Sequence, residues 1–345
     1  MNPFYWRGTT NFGDYMNHWL WPKLIPDLLD PQDDIRLVGI GSLLKSELNY
    51  VKGKKVIFGT GSGYGDIPPQ SAIDDWYFYF VRGPLTASKF ALSPEKAIVD
   101  GAWLISKVPG FSSIPQKKGV SFVPHWRTAV IGNWESVCLQ AGITYIDPLG
   151  DFEQVIQGIA ESELVIAESL HAAILADYYR TPWIPVQISP SFLNFKWHDW
   201  CQSVGLEFKS VILPPSDFFE CIYNRKNPFT LNLQLPCMQS PPFSSLAIKK
   251  VQTSFPIVYK QKVRVKSVLK SMREKALLKI KEKRNMAIFR PWNEKHCREL
   301  AKLLNMVKGV EPLMSHDSIR EQKIEKLDAV LETLIRDYKD GMFVN

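Results

Sequence analysis

The chain has 345 residues, 45% of them hydrophobic, and a formal net charge of +7, which is enough for two globular cores plus an extension. No stretch approaches the roughly 20 uninterrupted apolar residues of a membrane-spanning helix, and Met1–Trp6 runs into Arg7 and Gly8 without an apolar leader segment, so no signal peptide is expected. The charge is uneven: residues 249–345 carry 23 Lys and Arg against 12 Asp and Glu, whereas 1–248 have a net charge of −4, so the basic character concerns a partner of the C-terminal third rather than the fold of the rest.

In chain order, short apolar or aromatic runs alternate with helical stretches. Strands are predicted at 37–40, 55–58, 76–81 and 97–100, and the alternation restarts after Pro115 with strands at 119–123, 143–146, 164–167 and 183–188. Helices are predicted near 11–28, 84–92, 132–141, 151–161 and 170–179, with Asp151 as an N-cap. Continuous apolar strands separated by helices predict a parallel sheet covered on both faces, and the restart predicts two such units. The expected organisation is an N-terminal lobe over 1–115, a second lobe over 116–212, a proline-rich connector over 213–259 and a basic helical extension over 260–345. Within the extension, 260–289 holds 11 basic residues, with Val265, Val268, Leu269, Met272, Ala276 and Ile280 on one apolar stripe. That segment suits either an anionic membrane surface or packing back on the lobes. Another helix is predicted at 315–337.

In open α/β sheets, ligands bind beyond the carboxyl ends of the strands, and five such ends carry polar side chains. His171 stands in the first turn of the helix after Leu164–Ala167, where free N–H groups and the helix dipole attract anions. A histidinium there is disfavoured until an anion binds, so His171 reads either as a proton donor armed by an anionic substrate or as a partly buried structural histidine. Gly59–Asp66 has four glycines in seven residues, either a phosphate cradle or a tight turn, without the dinucleotide fingerprint. Arg82, at the end of the aromatic strand, is placed to grip a carboxylate or phosphate or to form a salt bridge. His125 and Arg127 follow the strand at 119–123, Asn11 and Asp14 head the first helix, and Lys196 lies in a tryptophan-rich stretch suited to sugar stacking or to core packing. The cysteines Cys138, Cys201, Cys221, Cys237 and Cys297 are scattered and read as reduced thiols in a cytosol. No metal-ligand cluster, no nucleophile elbow and no nucleic-acid-binding signature is found.

Taken in order, NFGD (Asn11–Asp14), GTGS (Gly59–Ser62), RGPLT (Arg82–Thr86), VDGA (Val99–Ala102), VPH (Val123–His125), SLHAAILAD (Ser169–Asp177), RTPW (Arg180–Trp183) and KWHDW (Lys196–Trp200) resemble the polysaccharide pyruvyltransferase family, particularly its bacterial exopolysaccharide ketal-forming members. The resemblance covers about residues 7–205. It implies two Rossmann-like lobes arranged as in GT-B glycosyltransferases. It also implies phosphoenolpyruvate as donor co-substrate, no other cofactor, and a pyruvyl ketal built across two hydroxyls of a hexose, commonly O4 and O6. The family's R-x-H motif supplies a histidine general acid, which matches His171, while the arginine position holds Ser169. The expected donor contacts are Arg82, Ser169, Leu170, Gly61, Ser62 and Arg127, and the expected acceptor contacts are Asn11, Asp14, His125 and Lys196. The acceptor is expected to be lipid-linked, and the enzyme cytoplasmic, peripheral at the inner face of the bacterial plasma membrane. Two alternatives stay open: a GT-B glycosyltransferase using a nucleotide sugar, and a non-catalytic protein binding membrane or nucleic acid through its basic segment.

Overall fold

A computed structural model describes residues 1–5, 11–63, 65–190, 192–228, 238–240 and 289–343. The parallel strands fall into two separate sheets. The first contains β1 (Asn2–Phe4), β2 (Arg36–Val38), β3 (Lys55–Phe58) and β4 (Trp76–Phe80) in that spatial order. Its helices are α1 (Phe12–Leu24) and α2 (Pro84–Lys89); β2, β3 and β4 are linked only by short 3₁₀ turns. The second sheet contains β5 (Val120–Val123), β6 (Thr144–Tyr145), β7 (Leu164–Ala167), β8 (Trp183–Gln187) and β9 (Val211–Ile212) in the order β6-β5-β7-β8-β9. Its helices are α3 (Trp126–Ile131), α4 (Trp134–Ala141), α5 (Phe152–Glu161), α6 (Leu170–Tyr178), α7 (Asn194–Ser203) and α8 (Phe218–Tyr223).

The strand order decides where a ligand can sit. The chain steps from β5 outward to β6, then returns to β7 on the other side of β5. The loops leaving β5 and β7 therefore diverge and open a crevice at the carboxyl edge, the usual ligand position of such sheets. Helix α6 is buried almost all round, which explains why its apolar run Ala172–Ala176 shows no amphipathic stripe.

Several predicted boundaries move. The run at 97–100 is not a strand: Ala97 makes one bridge to Val81, and Asp100 caps a 3₁₀ helix over Gly101–Lys107. That helix is as buried as a strand, with Trp103, Leu104 and Ile105 fully inside, so burial rather than backbone geometry set the apolar pattern. The predicted helix at 132–141 is preceded by a separate helix, α3, because Gly132 ends α3 with an extended backbone. The edge strands β1 and β9 are too short to show a period.

Residues 290–343 are not an appended extension. Helix α9 (Arg290–Val307) buries Leu300, Leu303, Leu304 and Val307 in the core of the second sheet, beside Phe122, Trp134 and Ile166. The chain then bonds Leu313 to Trp183 in both backbone directions, at 2.8 and 3.0 Å. Buried Asp177 accepts from Ser315 N and Trp183 Nε1, both at 2.9 Å, and from Ser315 Oγ. Helix α10 (Asp317–Lys339) finally crosses to the first sheet, where Leu327 and Leu334 are fully buried and Tyr79 donates to Asp337 at 2.6 Å. The basic stripe over 260–288 lies outside the described residues, as does Cys237; the other four cysteines are buried free thiols. Among the described residues no helix is long and apolar enough to cross a membrane.

Because α9 completes a core, Leu300→Ala should cost about 2–5 kcal/mol and lower the urea midpoint at unchanged slope. A loss below about 0.5 kcal/mol, the range of ordinary surface substitutions, would mean that α9 merely rests on the sheet.

Candidate active site

The carboxyl ends of β2, β4, β5 and β7 and the first turns of α1 and α7 converge on one cleft of about 350 Å³. It is lined by Asn11, Asp14, Arg82, His125, Arg127, Ser169, Leu170, His171 and Lys196, nine of the residues singled out from the sequence. A larger pocket of about 450 Å³ lies between α4 and α9, where Asn133 and Arg290 line it, away from every strand end.

His171 is the second residue of α6, after Ser169 at the N-cap position, whose side chain makes no capping bond. Gly13 of α1 presses on the imidazole so closely that any Cβ there would collide with Nδ1. Phe12 meets the ring edge-on, with centroids 6.4 Å apart. The Nε2 atom is buried without a hydrogen-bond partner among the described residues. Burial, reinforced by the positive charges of Lys196 and Arg82, pushes the His171 pKa down to about 3. The ring is therefore neutral at physiological pH, and a buried nitrogen without a partner is costly unless a ligand meets it.

Glu168, which sequence reasoning passed over, builds the seat for this turn. It is buried, accepts from the backbone of His125 through Oε2 and from Ser189 through Oε1, both at 2.9 Å, and so ties together the ends of β5, β7 and β8. Burial raises its pKa, while the His125 and Ser189 bonds oppose the rise. The available signal was a carboxylate inside the apolar run Leu164–Leu170. His125 uses Nδ1 to cap α3, accepting from Arg127 N at 3.4 Å. Its pKa lies well below the ordinary value because of burial and the charges of Lys196 and Arg127. The Arg127 guanidinium lies 5.0 Å from the ring centre of Trp126, another cleft residue the sequence did not flag, and its Nε is buried without a partner among the described residues. Asn11 donates to Asp14 at 3.3 Å. Burial raises the Asp14 pKa, against the Asn11 bond and the charges of Lys196 and Lys45.

The glycine-rich stretch is a correction. Gly61 and Ser62 do not line the cleft. The N–H groups of Gly59, Gly61 and Ser62 are taken by Phe80 O, Gly41 O and Thr86 Oγ1, at 2.9, 2.9 and 3.0 Å, so they offer no phosphate cradle. Gly61 is instead the seat of Arg82, whose guanidinium fills the space a Cβ would occupy. Arg82 itself is 1% exposed and heavily engaged: Nε on Asp199 at 2.9 Å, Nη1 on Ser42 Oγ at 3.0 Å and Nη2 on Ser62 O at 2.6 Å. Asp199, fully buried on α7, also accepts from Thr86 N and Oγ1 at 2.8 and 2.6 Å. Arg82 thus reaches the cleft as an edge of an ion pair that joins α7 to the first sheet. Among the described residues no cluster of three or more His, Cys, Asp or Glu side chains could hold a metal ion.

The neutral state of His171 has a measurable consequence. In the unfolded chain the imidazole takes up a proton below about pH 6.5, whereas in the fold it does so only near 3. Its contribution to stability therefore falls as pH drops through that window, by about 1.4 kcal/mol per pH unit. His171→Asn should gain stability relative to the parent by that slope between pH 6 and 4 in urea titrations; a constant difference would place the ring in water. Asp199→Ala strands a buried guanidinium and should cost about 3–5 kcal/mol, read in the same assay, and a loss under about 1 kcal/mol, the range of exposed ion pairs, would mean that solvent reaches the pair.

The sequence model of the family described as "Polysaccharide pyruvyl transferase" matches residues 116–190, from just before β5 to just past β8, and so includes His125, Arg127, Ser169 and His171. The chain is also similar to the succinoglycan biosynthesis protein ExoV of Rhizobium meliloti (strain 1021), at 42% identity over 217 residues, which cover 63% of this chain and 69% of that protein. No solved structure matches.

Proposed function

The chain belongs to the polysaccharide pyruvyl transferase family and is a transferase, and from that premise we propose that it transfers pyruvate from phosphoenolpyruvate to two hydroxyls of a hexose in an exopolysaccharide, forming a ketal. The observation that carries this reading is the neutral Nε2 of His171 at a helix N-terminus, without a partner among the described residues, in a cleft that Lys196, Arg82 and Arg127 also line. A neutral histidine in a positive pocket cannot donate a proton at pH 7. Phosphoenolpyruvate brings phosphate and carboxylate charges. Bound against Arg127 and the N-terminal turn of α6, it offsets the Lys196 and Arg82 charges that act on His171 and favours the protonated ring. His171 then protonates the methylene carbon C3, C2 becomes electrophilic, one hydroxyl attacks it, phosphate leaves, and the second hydroxyl closes the ketal. Donor binding thus arms the acid, which limits wasteful protonation in its absence.

Ser169 stands where the family motif has arginine, and Arg127, with its unpartnered Nε, is the natural replacement. Ser169 and Leu170 line the donor end of the cleft, and Asn11, Asp14, His125 and Lys196 the acceptor end. The two sheets facing one cleft fit a GT-B-like arrangement. A nucleotide sugar fits less well, because the N–H groups of Gly59, Gly61 and Ser62 are already taken and leave fewer donors for a diphosphate. A lipid-linked acceptor would hold the enzyme peripherally at the cytoplasmic face of the plasma membrane, with the basic segment 260–289 towards anionic headgroups.

The test is incubation of the full chain with phosphoenolpyruvate and a panel of lipid-linked saccharides, following phosphate release and the methyl signal of ketal-linked pyruvate. His171→Ala should lower turnover by roughly 10²–10⁴-fold with the fold intact. Parental turnover in that variant, or transfer of a sugar in place of pyruvate, would overturn the reading.

A further inference from the structure

Ketal formation releases two hydroxyl protons, and the acid that protonates C3 must be recharged every cycle. The reaction therefore needs a proton acceptor at the acceptor end of the cleft, within reach of the histidine. Among the described residues lining the cleft, three side chains besides His171 can take a proton from a hydroxyl: Glu47, His125 and Asp14. Glu47 is 61% exposed and lies 4.0 Å from Lys45 at the rim. His125 has Nδ1 committed to the α3 cap. Asp14 is half-buried in the first turn of α1, directly after Gly13, whose backbone rests on the His171 ring. Carboxylate and imidazole thus line one cavity, on the two elements that the Gly13 contact holds together.

We infer that Asp14 is the catalytic base that takes the proton of the attacking saccharide hydroxyl and returns it to His171. The inference rests on the pyruvyl-transfer reading and supplies its missing half. In the first step the hydroxyl oxygen bonds to C2 of phosphoenolpyruvate, His171 gives its proton to C3 to make the methyl group, and the hydroxyl proton passes to Asp14. In the second step the C2–O bond to phosphate breaks, the second hydroxyl adds to C2, and its proton leaves on the phosphate. Asp14 then protonates His171, and both groups regain their starting states. One hydroxyl proton ends on the methyl group and the other on phosphate, so no further reactant is needed. Asn11, bonded to Asp14 at 3.3 Å, orients the carboxylate.

Burial raises the pKa of Asp14. The charges facing it are Lys45 and Glu47 from the segment after β2, Arg82 after β4 and Lys196 of α7. His125 and Arg127 face it from the β5–α3 loop, and His171 from α6. Lys196 and Lys45 oppose the rise, and a bound phosphoenolpyruvate offsets them. The rate of ketal formation should then climb with pH through the Asp14 titration and fall where the ligand-raised His171 loses its proton.

The test uses the full chain with phosphoenolpyruvate and two probes, octyl β-D-glucopyranoside and octyl β-D-galactopyranoside, each offering the O4 and O6 hydroxyls. Calorimetry measures donor binding, and NMR measures the ketal. Asp14→Asn should bind phosphoenolpyruvate within about twofold of the parent, form ketal roughly 10²–10⁴-fold more slowly, and lose the acidic limb of the pH profile; Asp14→Glu should recover part of the rate. An Asp14→Asn variant that keeps more than a third of the parental rate, or keeps the acidic limb, overturns the assignment. A loss of donor affinity equal to the loss of rate also overturns it, since Asp14 would then belong to the donor site. Failure of the parent protein to bind phosphoenolpyruvate is a different result and sinks the pyruvyl-transfer reading itself.

Discussion

The buried pair between Arg82 and Asp199 is the constraint on which the cleft depends. Both side chains are at most 1% exposed, and their charges meet at 2.9 Å. Such a pair adds little net stability over a hydrophobic replacement, because desolvation cancels much of the attraction. Its value here is geometric. Asp199 sits three residues after Lys196 on α7, so one turn of helix delivers a cation to the cleft and a carboxylate to the first sheet. Arg82 carries the same restraint onward to Ser42 and Ser62, the segments following β2 and β3. Removing either charge would strand the other and loosen the wall that bears Lys196.

A second consequence is electrostatic. Arg82 enters the cleft already balanced by Asp199, while Arg127 arrives with an unpartnered Nε. The field felt by His171 therefore comes from several cations at once, of which Lys196 and Arg82 act on it directly. Proton affinity at His171 is low because of where the ring lies rather than because of one neighbour. An anion that enters the cleft answers burial and repulsion together, so ligand binding and acid strength are one linked equilibrium.

Much of the fold was legible because parallel strands buried on both faces must be apolar throughout. Lys55–Phe58 and Leu164–Ala167 could be read directly, and the restart after Pro115 marks the gap between the two sheets. The site was legible where a polar residue ends such a run, as at Arg82, His125 and His171. The errors share a cause. A run such as Val99–Ile105 is apolar because it is buried, and burial leaves no mark that separates a 3₁₀ helix from a strand. Four closely spaced glycines announce close approach to something, but not to what; here the neighbour of Gly61 is a guanidinium, not a phosphate. Glu168 and Asp199 were missed because their partners are backbone groups and side chains far away in sequence, 43 and 117 residues distant for His125 and Arg82.

The C-terminal third separates two properties that composition merges. Its net positive charge left a charged surface partner and packing back on the lobes both open; residues 290–343 fill both cores and strap the second sheet to the first through Asp177, Ser315 and Asp337. Leu300, Leu304, Leu327 and Leu334 are each fully buried, so the apolar faces of both helices are already occupied by the fold. The net positive charge left for a surface partner lies in the stretch before Phe289, with 11 basic residues between Lys260 and Phe289. A cut at residue 258 would remove that stretch and the core helices together, so lost vesicle binding after such a cut would report unfolding as readily as lost charge. Only charge reversals confined to 260–288 separate the two, because they leave α9 and α10 in place.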